Sequence, residues 1–181
     1  RYIRQIYSTF KAQVPVYVIF NKLDLADGFM EFFNDLSKEE LRQVWGITLP
    51  LNICHDSQST YSFISEQYHR LVKQLRKRVM WGMDVERTAR GRELISAFPQ
   101  QMQLFRKPIE NFIVEMFGAI RYPKALQLRG IYFTSCDQST GEPVDFLLQA
   151  MSKKFQLIPP KFERLQHQEE CYFLGDLFFK I

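Results

Sequence analysis

Residues 14–25 are Val14-Pro15-Val16-Tyr17-Val18-Ile19-Phe20-Asn21-Lys22-Leu23-Asp24-Leu25, and this segment decides how the rest of the chain is organised. Its five residues from Val16 to Phe20 are β-branched or aromatic and apolar on both faces, which is typical of a strand buried inside a parallel sheet. The strand ends abruptly in polar residues. Because ligands of open α/β sheets bind beyond the carboxyl ends of strands, the sequence predicts a ligand-binding loop at Asn21, Lys22 and Asp24.

Asn21, Lys22 and Asp24 spell N-K-x-D, which resembles the guanine-reading motif of GTPases. A carboxylate at Asp24 accepts from both the ring N–H and the exocyclic amine of guanine, whereas adenine has no matching donor pair. The wrong base leaves a buried carboxylate unpaired, at a cost of about 1–3 kcal/mol. In this interpretation Lys22 lays its aliphatic stem over the base, and Asn21 ties the loop to a phosphate-binding loop. The alternative is an ordinary polar turn, since Asn and Asp favour strand ends.

The composition is that of a globular domain. The 181 residues are 46% hydrophobic and 24% charged, enough for one sizeable core or one domain with a subdomain. No apolar stretch approaches the roughly 20 residues that span a bilayer, and no signal peptide is present, so we expect this segment to be soluble. Arg1 falls inside an amphipathic pattern and Ile181 in an unfinished apolar run, and we therefore expect a piece of a longer protein.

Cysteine usage favours a reducing compartment. Cys54, Cys136 and Cys171 are odd in number and lack C-x-x-C spacing, which predicts no disulfide framework. Cys136 and Cys171 have apolar neighbours and are interpreted as packing residues. Zinc would need four converging ligands, and the sequence does not bring His167 and Cys171 together with Cys54-His55-Asp56. We therefore predict no metal site and no cysteine nucleophile.

The net charge of +4 comes largely from one cluster, which contains Arg70, Lys73, Arg76, Lys77 and Arg78. Such a cluster suits an anionic lipid surface or an acidic partner, but its commoner meaning is a solvated helix face. No nucleic-acid motif accompanies it, so the sequence argues against nucleic-acid binding.

Between the first strand and a second apolar-then-polar segment, Leu128 to Ser135, the pattern is mostly helical. Ser37 and Glu40 form a capping box that starts a short helix. Apolar steps of three and four predict further helices, and these span Thr60 to Met80, Val85 to Phe98, Gln100 to Phe117 and Val144 to Phe155. We predict breaks at Trp81-Gly82-Met83-Asp84 and at Pro99, and a kink or restart at Pro108.

These elements predict an α/β fold, the C-terminal part of a GTPase-like (P-loop NTPase-like) parallel-sheet domain interrupted by a helical insertion. Residues 1–58 and 122–181 form the α/β part, and residues 59–121 form the insertion subdomain. Ser135 falls in the second base-side loop, although Cys136 and Asp137 depart from the usual S-A-K. No G-x-x-x-x-G-K-[ST] is present, so these residues include no phosphate cradle and no Mg²⁺ ligand.

Several segments, in family order over nearly the whole chain, resemble the cytoplasmic domain of the IcmF (TssM) family of bacterial type VI and type IVB secretion systems. They are Pro15 to Leu25, Gly28-Phe29 with Phe32-Phe33, Gln43-Val44-Trp45-Gly46, Ala97-Phe98-Pro99-Gln100-Gln101, Leu128 to Ser135, and Tyr172-Phe173-Leu174-Gly175-Asp176-Leu177-Phe178.

This resemblance implies an inner-membrane parent protein with transmembrane helices before and after this region, and a partner called DotU (TssL) in the same membrane. It implies an NTPase-like domain on the cytoplasmic face whose phosphate-binding loop, where a member has one, lies upstream of Arg1. GTP or GDP with Mg²⁺ would then bind only in the full-length protein. The domain is at most an NTPase, and its role is to assemble or brace the complex.

Three hypotheses follow. In the first, the chain is a non-catalytic or weakly catalytic assembly module, and Asn21, Lys22, Asp24 and Ser135 cap a strand and a turn. In the second, it belongs to a GTPase whose hydrolysis drives a conformational step. There Asp24 sets base choice, Lys22 stacks on the base, Asn21 orders the loop and Ser135 supports it. In the third, it is a helical interaction domain, which requires that the strands at Val16 and Ile131 are wrongly predicted.

Overall fold

The centre of the fold is a three-stranded mixed sheet. We describe it from a computed structural model that covers residues 14–51, 57–118, 126–136, 149, 152–154 and 171–180. Its strands are β1 (Val14–Phe20), β2 (Gly46–Thr48) and β3 (Leu126–Phe133), in the order β1-β3-β2. Strand β1 is parallel to β3, and β2 is antiparallel to it. Both predicted strands exist. The third hypothesis, a helical interaction domain, required these strands to be wrongly predicted and therefore fails.

Strand β3, and not β1, is the buried strand. Ile131 and Phe133 are fully buried, whereas most of β1 is half-buried and Ile19 is 37% exposed. The prediction that β1 is buried inside the sheet is therefore wrong. The physical reason is the strand order, because β3 has neighbours on both sides while β1 pairs with β3 alone among the described strands.

Shorter helices are α1 (Phe29–Phe33), α2 (Lys38–Leu41) and, near the chain end, α5 (Leu177–Lys180). The capping box of α2 is confirmed. The Ser37 amide donates to Glu40 Oε2 at 2.8 Å, and the Glu40 amide donates to Ser37 Oγ at 3.3 Å. Both are among the amides that a helix leaves unpaired at its start, so α2 begins at a residue the sequence specifies.

Two long helices, α3 (Ser57–Val85) and α4 (Ala89–Ile113), pack against each other, and a π-helical turn (Val114–Gly118) follows α4. The predicted break at residues 81–84 is wrong, since α3 runs through it. Gly82 is buried there, and a Cβ on it would lie 3.2 Å from the Ile95 side chain. The glycine thus permits close packing of two helices instead of ending one. Thr88 caps the start of α4, its hydroxyl accepting from the Gly91 amide at 3.0 Å.

The prediction that Pro99 ends a helix is also wrong, because Pro99 and Pro108 both lie inside α4. Proline in a helix interior costs about 3 kcal/mol through the lost hydrogen bond and the ring clash. Here Ile95, Phe98 and Met102 flank Pro99 on the inward face and are each at most 2% exposed. Burying such side chains is worth about 1.5–3 kcal/mol each, so packing outweighs the local cost.

One apolar core joins the sheet to both long helices. Its centre is aromatic: Phe29 and Phe33 contact Phe98 at centroid distances of 5.9 and 5.6 Å. Tyr68 of α3 packs edge-on against Phe133 of β3 at 6.1 Å. Burial raises the pKa of the Tyr68 phenol, whose hydroxyl donates to the Met102 carbonyl at 2.7 Å. The division into an α/β part and an insertion subdomain remains a prediction, although both parts contribute to this core.

Other predictions lie mostly outside the described residues. The amphipathic pattern that contains Arg1 lies outside them, and of the helix predicted from Val144 to Phe155 only residue 149 and residues 152–154 are described, as helical. Among the described helices, none is both long and apolar enough to cross a bilayer.

Candidate functional site

Two loops meet at the carboxyl edge of the parallel pair β1 and β3. Because the strands are parallel, the residues that follow Phe20 and Phe133 emerge side by side. The Thr134 amide donates to the Phe20 carbonyl at 2.9 Å, and the Leu23 amide donates to the Thr134 carbonyl at 3.2 Å. The main chains of the two loops are therefore hydrogen-bonded to each other directly beyond the sheet.

The structure brings three of the four predicted site residues into this junction through side-chain contacts. The Ser135 hydroxyl donates to Asp24 Oδ1. Asp24 is 6% exposed and Ser135 is fully buried. Beside them, the Thr134 hydroxyl donates to Asn21 Oδ1 at 3.3 Å. Residues more than a hundred positions apart in the sequence thus share one hydrogen-bonded cluster.

Thr134 is a member of this cluster that the sequence reasoning missed. It lies next to Ser135 at the point where β3 becomes polar. The signal that identified Asn21, a polar residue directly after a buried strand, applies equally to Thr134. Matching the two strand ends position by position would have paired these residues.

Lys22, the fourth predicted residue, occupies an unusual backbone position. Its φ of 62° and ψ of 35° are left-handed, a conformation that few non-glycine residues adopt. The chain turns sharply there, and Leu23 and Asp24 of the following 3₁₀ turn (Leu23–Leu25) are directed inward and buried. Lys22 therefore separates the exposed Asn21 from the buried Asp24.

A segment near the chain end closes the Ser135 side of the cluster. Ser135 and Tyr172 exchange two backbone hydrogen bonds, of 3.1 and 2.7 Å, and the Phe173 amide donates to the Leu41 carbonyl at 2.6 Å. Tyr172 and Phe173 are buried against the aromatic core. Ser135 is consequently fixed on both sides, by Asp24 and by this segment.

The cysteines beside this segment correct the sequence analysis. Cys136 and Cys171 are joined by a disulfide across a Cα–Cα distance of 4.4 Å, so interpreting this pair as separate packing residues was wrong. The backbone pairing of Ser135 with Tyr172 brings together the two residues that flank it. An odd cysteine count excludes a fully paired set but not a single pair.

The geometry of this site limits which ligands it can bind. A carboxylate has about four acceptor positions, and the Ser135 hydroxyl occupies one of those of Asp24. A base that reads Asp24 must nevertheless reach a side chain of which 6% is exposed. Within the described part of the chain, no group of three metal-ligating side chains lies together. Cys54, His55, Asp56 and His167 lie outside that part.

Comparison with known proteins decides the family. The model of the IcmF-related N-terminal domain matches residues 1–181. The chain belongs to the IcmF (TssM) family. It is 32% identical over 179 residues to the type VI secretion system component TssM1 of Pseudomonas aeruginosa. The match covers 99% of this chain and 16% of TssM1, so this IcmF-family chain spans a small part of that relative's length. No solved structure matches it.

Proposed function

We propose that this chain is a module of an inner-membrane scaffold protein in a bacterial type VI or type IVB secretion system. It lies on the cytoplasmic face and supports assembly and stability of the secretion complex. The observation that carries this proposal is the similarity to TssM1 over 99% of the chain. A chain related from end to end to a secretion component is most simply part of such a component.

The geometry of the loop junction favours a structural role. Asp24, Asn21 and Ser135 each contact another residue of the junction, and Tyr172 covers Ser135. These contacts hold the sheet edge to the segment near the chain end. An N-K-x-D loop engaged in this way stabilises the domain without needing a nucleotide.

The proposed partners are a DotU (TssL)-like protein and other subunits of the complex. Exposed apolar residues offer contact area for them. Phe178 and Phe179 of α5 are 68% and 87% exposed, and aromatic residues are enriched in protein interfaces.

A second candidate is a nucleotide switch, a GTPase or NTPase that hydrolyses nucleotide to drive a conformational step in secretion. The convergence of Asn21, Asp24 and Ser135 beyond parallel strands favours it, because open α/β sheets bind ligands at that edge. GTP or GDP with Mg²⁺ would require a phosphate-binding loop elsewhere in the full-length protein.

A nucleotide titration separates the two candidates. Fluorescent GDP and ATP analogues with Mg²⁺ are titrated against the whole cytoplasmic region of the parent protein. A switch binds guanine selectively and loses that selectivity in Asp24→Asn, which offers a donor where guanine needs an acceptor and so favours a xanthine nucleotide. The assembly module binds neither nucleotide, and a melting curve shows that it is folded.

An assembly experiment tests the first proposal directly. The domain is deleted from the chromosomal copy of the parent protein, and the size of the detergent-extracted secretion complex is measured beside effector release. We expect both to be lost on deletion and both to survive Lys22→Ala, which leaves the buried junction intact. A full-size complex assembled without the domain contradicts the proposal.

A further inference from the structure

The outer face of α3 carries a strip of basic residues that ends in exposed apolar side chains. Lys73, Lys77 and Trp81 follow each other at intervals of four residues, as do Arg76 and Met80. Residues four apart lie on one side of a helix. Met80 is 71% exposed and Trp81 is 54% exposed. We call these five residues the basic strip, and it covers about 12 Å of helix.

The charges of the basic strip are not paired with any carboxylate of the described residues. In the part of the chain that the structure describes, no carboxylate pairs with Lys73, Arg76 or Lys77, all of which are exposed. The neighbouring Arg70 differs, since it binds Glu66 at 2.6 Å. That ion pair marks one end of the strip, and the exposed Asp84, one turn beyond Met80, marks the other.

A half-buried cation orients the tryptophan at the end of the strip. Arg78 binds Asp35 with Nη2 2.5 Å from Oδ1, and its guanidinium carbon lies 5.1 Å from the centroid of the Trp81 ring. Stacking on a fixed cation holds the ring in place. Trp81 is thus presented outward by the fold, which lowers the entropy that it loses on binding.

The shape and chemistry of the strip fit an anionic lipid surface better than an acidic protein. The strip is the convex face of one helix, which meets a plane along its length. Protein hot spots, by contrast, are well-packed pockets around aromatic or arginine anchors. A groove of about 530 Å³ lies between α3 and α4. Arg76 is the one charged residue in its lining, beside uncharged residues such as Gln100 and Leu104.

We propose that the basic strip docks this domain on a membrane surface that contains anionic lipids. Lys73, Arg76 and Lys77 contact the phosphate groups, while Met80 and Trp81 enter the headgroup region, where tryptophan is favoured. The opposite face of α3, with Leu71, Val72 and Leu75, remains buried in the core. Docking therefore needs no unfolding of the domain.

Vesicle binding tests this inference, and its outcome is independent of nucleotide binding and of secretion. The purified chain is sedimented with phosphatidylcholine vesicles, with and without phosphatidylglycerol, in about 0.1 M salt, where the Debye length is about 10 Å. We expect binding only to the anionic vesicles, weakening as salt is raised. Replacing Lys73 and Lys77 by Gln should weaken it about 25-fold, at about fivefold for each basic residue near the surface.

A matched variant controls for net charge. Lys107→Gln with Lys153→Gln removes the same charge from exposed positions outside the strip, and we expect it to weaken binding less than fivefold. All substituted positions are on the surface, and melting curves check that each variant folds. An equal loss of affinity for anionic vesicles in the two double variants overturns the proposal, because binding would then follow net charge alone.

Tryptophan fluorescence gives a second measurement. The chain has two tryptophans, and Trp45 packs in the aromatic core, 5.3 Å from Phe133 between ring centroids. We expect anionic vesicles to shift the emission of the native chain to shorter wavelength and to leave that of Trp81→Phe unchanged. No shift, or binding to polyglutamate without binding to anionic vesicles, overturns the proposal, and the latter result assigns the strip to an acidic protein.

Discussion

Ser135→Ala tests whether the hydrogen bond to Asp24 holds the two site loops together. The substitution removes one oxygen atom from a fully buried side chain and deprives a carboxylate that is 6% exposed of its hydroxyl donor. A hydrogen bond to a charged group is worth about 1.5–3 kcal/mol, and little water reaches this site to replace it. We expect the free energy of unfolding to fall by about 2 kcal/mol.

Urea denaturation of the purified chain measures this loss. In a chain of this size a loss of about 2 kcal/mol lowers the melting temperature by roughly 4–8 °C. Ser96→Ala is the matched control, because the exposed Ser96 hydroxyl donates to the Glu93 carbonyl within its own helix. We expect the control to change the free energy of unfolding by less than about 0.5 kcal/mol.

A double-mutant cycle attributes the effect to the contact itself. When Asp24 is already Ala, Ser135→Ala should cost about 1.5 kcal/mol less than it does in the native chain. A loss below about 0.5 kcal/mol in the native chain, or strictly additive losses in the double variant, would refute the reasoning. The loops would then be held together by their backbone hydrogen bonds and by the bond from Thr134 to Asn21.

Four further substitutions test the framework of the fold. Gly28→Ala should lower the free energy of unfolding by about 2–4 kcal/mol, because φ is 86° and a Cβ would lie 2.5 Å from a main-chain oxygen. Gly82→Ala, inside α3, should change the free energy of unfolding by less than about 1 kcal/mol, because the higher helix propensity of alanine offsets its tight contact. Equal losses for the two glycine variants in urea denaturation would contradict this prediction. Tyr68→Phe, which removes a buried hydroxyl donor, should lower stability by about 1–2 kcal/mol in the same assay, and an unchanged midpoint would count against it. Ser37→Ala should cost about 1 kcal/mol at pH 7. Hydrogen bonds from the Ser37 backbone amide, which this substitution keeps, and from the Ser37 side chain, which it removes, lower the pKa of Glu40 below its ordinary 4.5. The part of the loss that comes from the side-chain bond should be full above that pH and shrink as pH falls through the lowered value. A loss independent of pH in acid titrations would show that the Ser37 side chain does not act through the Glu40 carboxylate.

Local signals were reliable where a few neighbouring residues decide the structure. The capping box at Ser37 and Glu40 needs only a hydroxyl and a carboxylate three residues apart, and it is present. Both predicted strands also exist. The assignment to a GTPase-like fold remains a prediction, as do the nucleotide roles of Asn21, Lys22, Asp24 and Ser135.

Local signals failed where tertiary packing outweighs propensity. Gly82 and Pro99 both discourage helices, yet α3 and α4 run through them. Gly82 is buried against the facing helix, and Pro99 lies beside the fully buried Phe98. The gain from burial depends on which surfaces meet, and periodicity along one helix does not contain that information.

The sequence by itself determined the family, the two strands of the parallel pair and the polar residues at their ends, because each depends on residue types at fixed local spacing. Only the tertiary structure decided that β3 is the buried strand, that Asp24 and Ser135 are hydrogen-bonded, and that Cys136 pairs with Cys171. Each of these depends on which distant segments pack together. That choice is made by the burial of apolar surface over the whole chain, a sum that no short stretch of sequence contains.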